Sequence, residues 1–288
     1  LAASRAIDCI AHAAGAPGSK DRKNAAMALA GILESPRVSE PVKLRALDLL
    51  GLVGQAEVVP AIAKVLADTK LSDFARKALE RIPGEAAEKA LEAALAAASG
   101  ELRDALILTL GKKRARGSVA ALTRLAAGEG SSRLSAAKAL ARIGDPAGIA
   151  AIQSAIQAAS PRDRSALTDD YLEMGDRLRE AGDGASARKI YQDVLATSNE
   201  DARRYAALHA IYGDGSEKDA GSLVGAIDDA SPLIRSLALE LLVGLKGDDI
   251  NKTLLERFAA TQGSQKAAFL RVLAAAWRIG RRTLKNPS

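Results

Sequence analysis

The side chains able to carry acid–base, nucleophilic or metal chemistry are few and scattered. His12 and His209 are the two histidines, and Cys9 is the single cysteine in 288 residues. Catalysis by acid, base or nucleophile needs groups converged within hydrogen-bond reach, and zinc needs three or four donors. His12 and His209 stand near opposite ends of the chain, so in an array whose units touch only their neighbours they cannot share a site. His209, between Leu208 and Ile211, reads as a partly buried packing residue, and Cys9, with Ile7 and Ile10 beside it, as a small buried hydrophobe. Asp169-Asp170 and Asp228-Asp229 are adjacent carboxylates. Consecutive helical residues point about 100° apart, so such a pair does not address one substrate and reads as helix-start charge. Asp248-Asp249 reads as a capping pair. The chain has no G-x-x-x-x-G-K-[ST] loop, no H-E-x-x-H and no G-x-S-x-G. The expectation is no catalytic residue, no metal, no cofactor and no enzyme.

Charge offers surfaces instead. Residues 1–144 hold 22 Lys and Arg against 15 Asp and Glu, whereas residues 161–230 hold 9 against 15, so the chain is banded rather than evenly basic despite its net +6. The densest basic run is Lys112-Lys113-Arg114-Ala115-Arg116. It reads either as an anion contact or as a solvated turn with cations at a helix carboxyl end, and the second reading is the favoured one. A phosphate backbone wants one sign of charge along a continuous track. The outward positions of successive second helices are mixed: Lys64, then Glu88, Lys89 and Glu92, then Arg124, then Gln153 and Gln157, then Arg188 and Gln192. Asp228 follows, and the last pair gives Lys252, Glu256 and Arg257. Such a row suits a protein partner or an adjoining domain, and nucleic acid is not the expected ligand. The four tyrosines fall between 171 and 212; Tyr171 and Tyr191 sit at packing positions, which leaves Tyr205 and Tyr212 as interface candidates.

These positions need elements to hold them. The chain has 62 Ala and 38 Leu against 3 Phe, 1 Trp and 4 Tyr, the composition of closely packed helices rather than strands. A single cysteine excludes a disulfide framework, and no apolar run reaches the ~18 to 20 residues that span a bilayer. Gly follows an apolar helical stretch at 54, 84, 111, 144, 182, 213, 247 and 280, at intervals of 27 to 38 residues. One helical hairpin fills such an interval, with Gly ending a helix at positive φ. Periodicity places paired helices at Phe74–Ile82 and Ala86–Ala98, Leu102–Leu110 and Val119–Ala127, Leu134–Ile143 and Ala147–Ala158. Later pairs are Asp201–Tyr212 with Ala220–Asp228, and Leu233–Leu245 with Ile250–Ala260; an earlier one joins a helix through Leu44, Leu47 and Leu50 to Val58–Ala67. Pro83, Pro146, Pro161 and Pro232 mark unit edges.

The stretches Ile234-Arg235-Ser236-Leu237-Ala238, Ala202-Arg203-Arg204-Tyr205-Ala206, and Ala137 through Leu140 to Ile143-Gly144-Asp145-Pro146 resemble HEAT repeats of the short bacterial, armadillo-like kind. The resemblance covers nearly the whole chain. It implies an all-α fold, a right-handed α-solenoid of about eight stacked antiparallel helix pairs, whose second helices line a concave protein-binding face. It also implies an Asp six residues before an Arg, which occurs only as Asp229 before Arg235; Arg203 has Thr197 there and Lys43 has Arg37. Tyr171, Met174, Gly175, Leu178, Gly182, Ala187 and Tyr191 are similar in spacing to a tetratricopeptide hairpin at 168–201, with Asn199 where that family has Pro. The expected function is a non-catalytic scaffold for protein binding. HEAT-like DNA glycosylases, and more remotely HEAT-like bilin lyases, are the alternatives on the same scaffold. The N-terminal half offers only Phe74 as an aromatic, which is poor material for a base-holding pocket. The chain is expected to form one domain, 1–288, cut from a longer protein, with a last unit that lacks its second helix after Trp277 and Ile279. One thiol suits cytoplasm or periplasm equally.

Overall fold

The computed structural model describes residues 21–213 and 221–244, together with Glu256, Phe258, Ala259, Lys266 and Leu270. Among them the chain is all-α, with helices packed in sequential order as in a helical-repeat array and no strand. It divides into two compact units, Leu1–Tyr171 and Leu172–Ser288. Cys9, His12, Lys252, Arg257, Asp248-Asp249, Gly247, Gly280 and the final unit lie outside the described residues.

In the first unit α1 (Arg22–Glu34) precedes four helix pairs. The first helices are α2 (Glu40–Val53), α4 (Ser72–Arg81), α6 (Gly100–Lys113) and α8 (Arg133–Ile143). The second helices are α3 (Val59–Lys64), α5 (Glu85–Ala97), α7 (Val119–Ala127) and α9 (Ile149–Ala158). Each first helix packs on the next first helix, while α1, α5 and α7 pack chiefly on the first helix that follows them, and α3 with α5 and α7 with α9 pack second helix on second helix. The fit comes from small residues facing large ones: Ala46, Ala75, Ala78, Ala136 and Ala139 are sealed beside Leu47, Leu50, Leu79 and Leu140. Each sealed leucine is worth roughly 1.5–3 kcal/mol of apolar transfer, so the stack is held by its Ala–Leu seams.

Helix α10 (Pro161–Glu180) is the long one, at 20 residues, and the division between units falls inside it. The second unit continues with α11 (Gly184–Thr197), α12 (Asp201–Tyr212), α13 (Gly221–Ala226) and α14 (Pro232–Gly244). There α11 packs on α12, α12 on α14, and α13 on α14. Tyr191 of α11 lies so close over Gly175 that a Cβ there would sit 2.8 Å from the ring, as packing residues at these positions should.

Most helix ends fall within two or three residues of the periodicity, and three expectations need correcting. First, the repeating glycines do not all end helices at positive φ. Gly144 and Gly182 do, but Gly84, at φ 90, stands before α5 as its N-terminal cap, Gly54 and Gly213 have negative φ and Gly111 lies inside α6. Gly111 is small for another reason: a Cβ on it would sit 2.7 Å from the Ala139 Cα of α8. Second, several second helices open through a 3-10 turn, at Ala56–Val58, Arg116–Ser118 and Pro146–Gly148, which tightens the hairpin. In the last of these, left-handed Gly144 ends α8, Asp145 accepts from the Ala147 amide at 3.0 Å, and Pro146 starts the turn. Third, Asp169-Asp170 are not helix-start charges, since α10 begins at Pro161 and places them in its middle.

Candidate functional site

The candidate positions on the second helices divide into those spent on the fold and those left over. Lys64, at the end of α3, reaches back 2.6 Å to Glu34 at the end of α1, joining two successive second helices. Lys89 pairs with Glu85 one turn earlier in α5, at 3.0 Å. Glu92 is half-buried, with a carboxylate oxygen 3.9 Å from where a side chain at Gly117 would begin. Arg124 is exposed and folds its Nε back onto the Ala120 carbonyl of its own helix. Gln153 is half-buried, Gln157 is exposed, and the Gln157 carbonyl accepts from Arg164 at 3.2 Å. In the second unit Arg188 is half-buried and Gln192 exposed, both on α11.

The two tyrosine candidates separate. Tyr212 is 4% exposed and belongs to the core of the second unit, so it is not an available contact. Its position in α12 turns it inward beside Leu208 and Ile211, which are also buried. Tyr205 is half-exposed and stacks on His209, ring centroids 6.3 Å apart and planes 11° from parallel. His209 is exposed, not partly buried as its apolar neighbours in sequence suggest, because it lies on the opposite side of α12 from Leu208 and Ile211. Tyr171 and Tyr191 are buried. The Tyr191 hydroxyl donates to Asp176 at 2.8 Å, and burial, with that carboxylate second, pushes the phenol above its ordinary range.

Elsewhere the charges form links between neighbouring repeats. Arg22 reaches Glu57 at 2.8 Å and the Val53 carbonyl at 2.7 Å. Arg81 reaches Asp48 at 3.1 Å. Arg76 donates to Thr109 of the next first helix at 2.7 Å while its own Glu80 takes Lys112 at 3.1 Å. In the second unit Arg204 forks onto both oxygens of Asp229, and Arg235 donates to the Asp229 carbonyl at 2.6 Å. The Arg204 bond first, and the Ser231 amide beside it, hold the Asp229 carboxyl below the usual range against the opposing effect of burial. Asp229 therefore works between repeats, through Arg204, rather than through the side-chain partner six residues on. A periodic link of this kind was not visible in the linear spacing, because its members sit at unequal positions in successive repeats.

The run at 112–116 also resolves residue by residue. Lys112 is tied to Glu80. Lys113 Nζ donates to the Ile82 carbonyl at 2.6 Å, capping the end of α4, and burial pulls this ammonium below its ordinary range. Ala115 is buried, while Arg114 and Arg116 are exposed. Arg114 closes α6 in the left-handed region, at φ 54.

Two open clefts, which the sequence did not announce, occupy matching places in the two units. One, of about 360 Å³, is lined by Ser72, Asp73 and Arg76 at the start of α4 and by Glu101 and Leu102 at the start of α6. The other, of about 590 Å³, is lined by Asp201 and Arg204 at the start of α12 and by Ser231 and Pro232 at the start of α14. An Asp followed three residues later by Arg opens both first helices, which is the only sequence signal they share. Exposed large apolar residues stand on different helices, at Met27, Leu52, Phe74 and Leu233. Among the described residues no group of three or more His, Cys, Asp or Glu is arranged to hold a metal, and no helix is long and apolar enough to cross a membrane.

No protein-family model matches the chain, and no curated protein matches it. Among solved structures it is similar to an engineered protein whose crystal structure comes from the Northeast Structural Genomics Consortium. The two are 16% identical, the match covers 95% of this chain and 84% of that one, and the TM-score is 0.43.

Proposed function

We propose that the chain is a non-catalytic interaction scaffold, with repeats of HEAT type and one tetratricopeptide-like hairpin at 168–201, that binds a partner protein or an adjoining domain through its second helices. The observation that carries this reading is a division of labour among the polar side chains. Between successive first helices they are spent on inter-repeat links such as Arg76–Thr109 and Lys112–Glu80, and Lys64–Glu34 does the same between second helices, whereas Arg124, Gln157 and Gln192 on later second helices keep exposed side chains. Exposed amides and a guanidinium on a rigid helical support can pair with a partner without losing a fold-holding contact. Repeat arrays offer extended surfaces of this sort and few convergent ones.

The test is replacement of Arg124, Gln157 and Gln192 by Ala, singly and together, in the full chain, followed by quantitative co-purification of its bound proteins. The expected outcome is a drop of about tenfold in recovery for the triple variant with unchanged helicity, since one good interfacial contact is worth about 1–2 kcal/mol. Full retention of every co-purified partner by the triple variant overturns the reading.

A further inference from the structure

Within the basic run at 112–116, the two lysines are committed to the preceding repeat, and the guanidiniums of Arg114 and Arg116 project from the turn between α6 and α7. Neither makes an ion pair with a described residue. The next repeat contributes Arg142, half-buried in the last turn of α8, also without such a partner. Contact geometry sets Arg114 and Arg142 at one end of the same seam, and Arg116 follows Arg114 by two residues in the turn. Helices α6 and α8 run side by side, and the closest approach is Gly111 against Ala139. Arg114 stands three residues beyond Gly111 and Arg142 three beyond Ala139, so both lie one helical turn past the same contact point, at the same end of the pair.

Neighbouring hairpins do not extend the patch. In the turn after α2, Glu57 is taken by Arg22, and at the end of α4 Arg81 is taken by Asp48. Adjacent first helices pack about 8–10 Å apart, so three guanidiniums on two of them form a patch on the order of 10–15 Å across. That is too short for a phosphate backbone read over several repeats, and matches about four residues of extended peptide at about 3.3 Å each. Guanidinium groups bind carboxylates in forked pairs, and an Arg side chain already held at a turn loses little freedom in doing so. Glu92 flanks the patch through its approach to Gly117, and the Asp145 carboxylate, held by the Ala147 amide, stands three residues beyond Arg142, so the positive field is confined to the guanidiniums themselves.

We propose that Arg114, Arg116 and Arg142 form a docking edge for a short acidic segment of a partner protein. This edge is distinct from the second-helix positions Arg124, Gln157 and Gln192, and the two surfaces fail or succeed in separate variants.

The test uses the full chain with fluorescein-labelled octaglutamate as probe, octaserine as uncharged control and an oligothymidylate of the same length as the nucleic-acid comparison. Three variants are measured: Arg114→Gly with Arg116→Ser, those two with Arg142→Gln, and Arg37→Gln at an exposed position elsewhere. Because Arg114 holds a left-handed φ, glycine there favours the fold while removing the charge, so loss of binding separates from loss of structure. The expected result is octaglutamate binding that weakens about tenfold in the triple variant, falls steeply with added salt, and is unchanged in Arg37→Gln. The proposal is overturned by absence of octaglutamate binding, by equal loss in Arg37→Gln, by full retention in the triple variant, or by oligothymidylate binding more tightly than the peptide at this edge.

Discussion

Asp229 shows how one carboxylate can hold two repeats. It accepts both arms of Arg204 from the preceding first helix and the Ser231 amide, at 2.8 Å, from its own turn. Both partners of the ion pair are mostly shielded, with side chains 14% and 19% exposed, so the pair is screened less than a surface one. Replacing Asp229 with Asn leaves Arg204 short of its counter-charge and is expected to cost about 1–3 kcal/mol at neutral pH, read by urea denaturation. The pH dependence has a definite sign. Because the folded carboxyl titrates below the ordinary 3.8, ionised Asp229 supports the fold above pH 3.8, and that support drains away as the pH falls through the folded value. The native chain should therefore lose stability faster than Asp229→Asn below about pH 4, the two curves converging in acid. Curves that stay parallel from neutral pH into acid would show that Asp229 acts through packing rather than charge.

At the scale of the helix, two glycines that look alike in sequence do different work. Gly144 is needed for its backbone, at φ 74, where a side chain meets no neighbour but pays for the left-handed conformation. Gly111 is needed for its missing side chain, since a Cβ would strike the backbone of α8. Gly144→Ala should cost about 1 kcal/mol and Gly111→Ala about 2–3 kcal/mol, because a turn can relax locally whereas two packed helices must move apart. Thermal unfolding of the two variants gives the ranking, and the reverse order would contradict the packing account. The contrast also explains what could be read beforehand. The alternation of helices was legible because 3.6-residue periodicity, Gly and Pro are local signals, and Val119–Ala127 and Asp201–Tyr212 fall where the pattern put them. The inward turn of Tyr212, the outward turn of His209 and the closeness of Gly111 to Ala139 were not legible. Each is decided by a helix that packs alongside, about one repeat away. The same limit holds at the candidate site: exposure of Arg124, Gln157 and Gln192 followed from the helical pattern, while the engagement of Lys64 with Glu34 and of Lys113 with Ile82 depended on neighbouring repeats.

Within the first unit the main contacts among the described residues join neighbouring repeats, as between α2 and α4, α4 and α6, and α6 and α8. Stability in such a stack is close to a sum of repeat and neighbour-interface contributions, so a lesion should weaken its own interface and leave distant ones intact. The α6–α8 seam gives a clean place to apply it. Hydrogen exchange in Gly111→Ala should quicken amides of α6, α7 and α8 by roughly thirty- to a hundred-and-fiftyfold, the factor that 2–3 kcal/mol implies. Amides of α1 and α2, two interfaces away in the same compact unit, should keep their native rates to within about twofold. A globular core would instead transmit the loss, and every slow amide from Arg22 to Ala158 would accelerate together. Uniform acceleration would thus refute the neighbour-only account, and with it the premise that a binding edge on α6 and α8 can be altered without disturbing the rest of the surface.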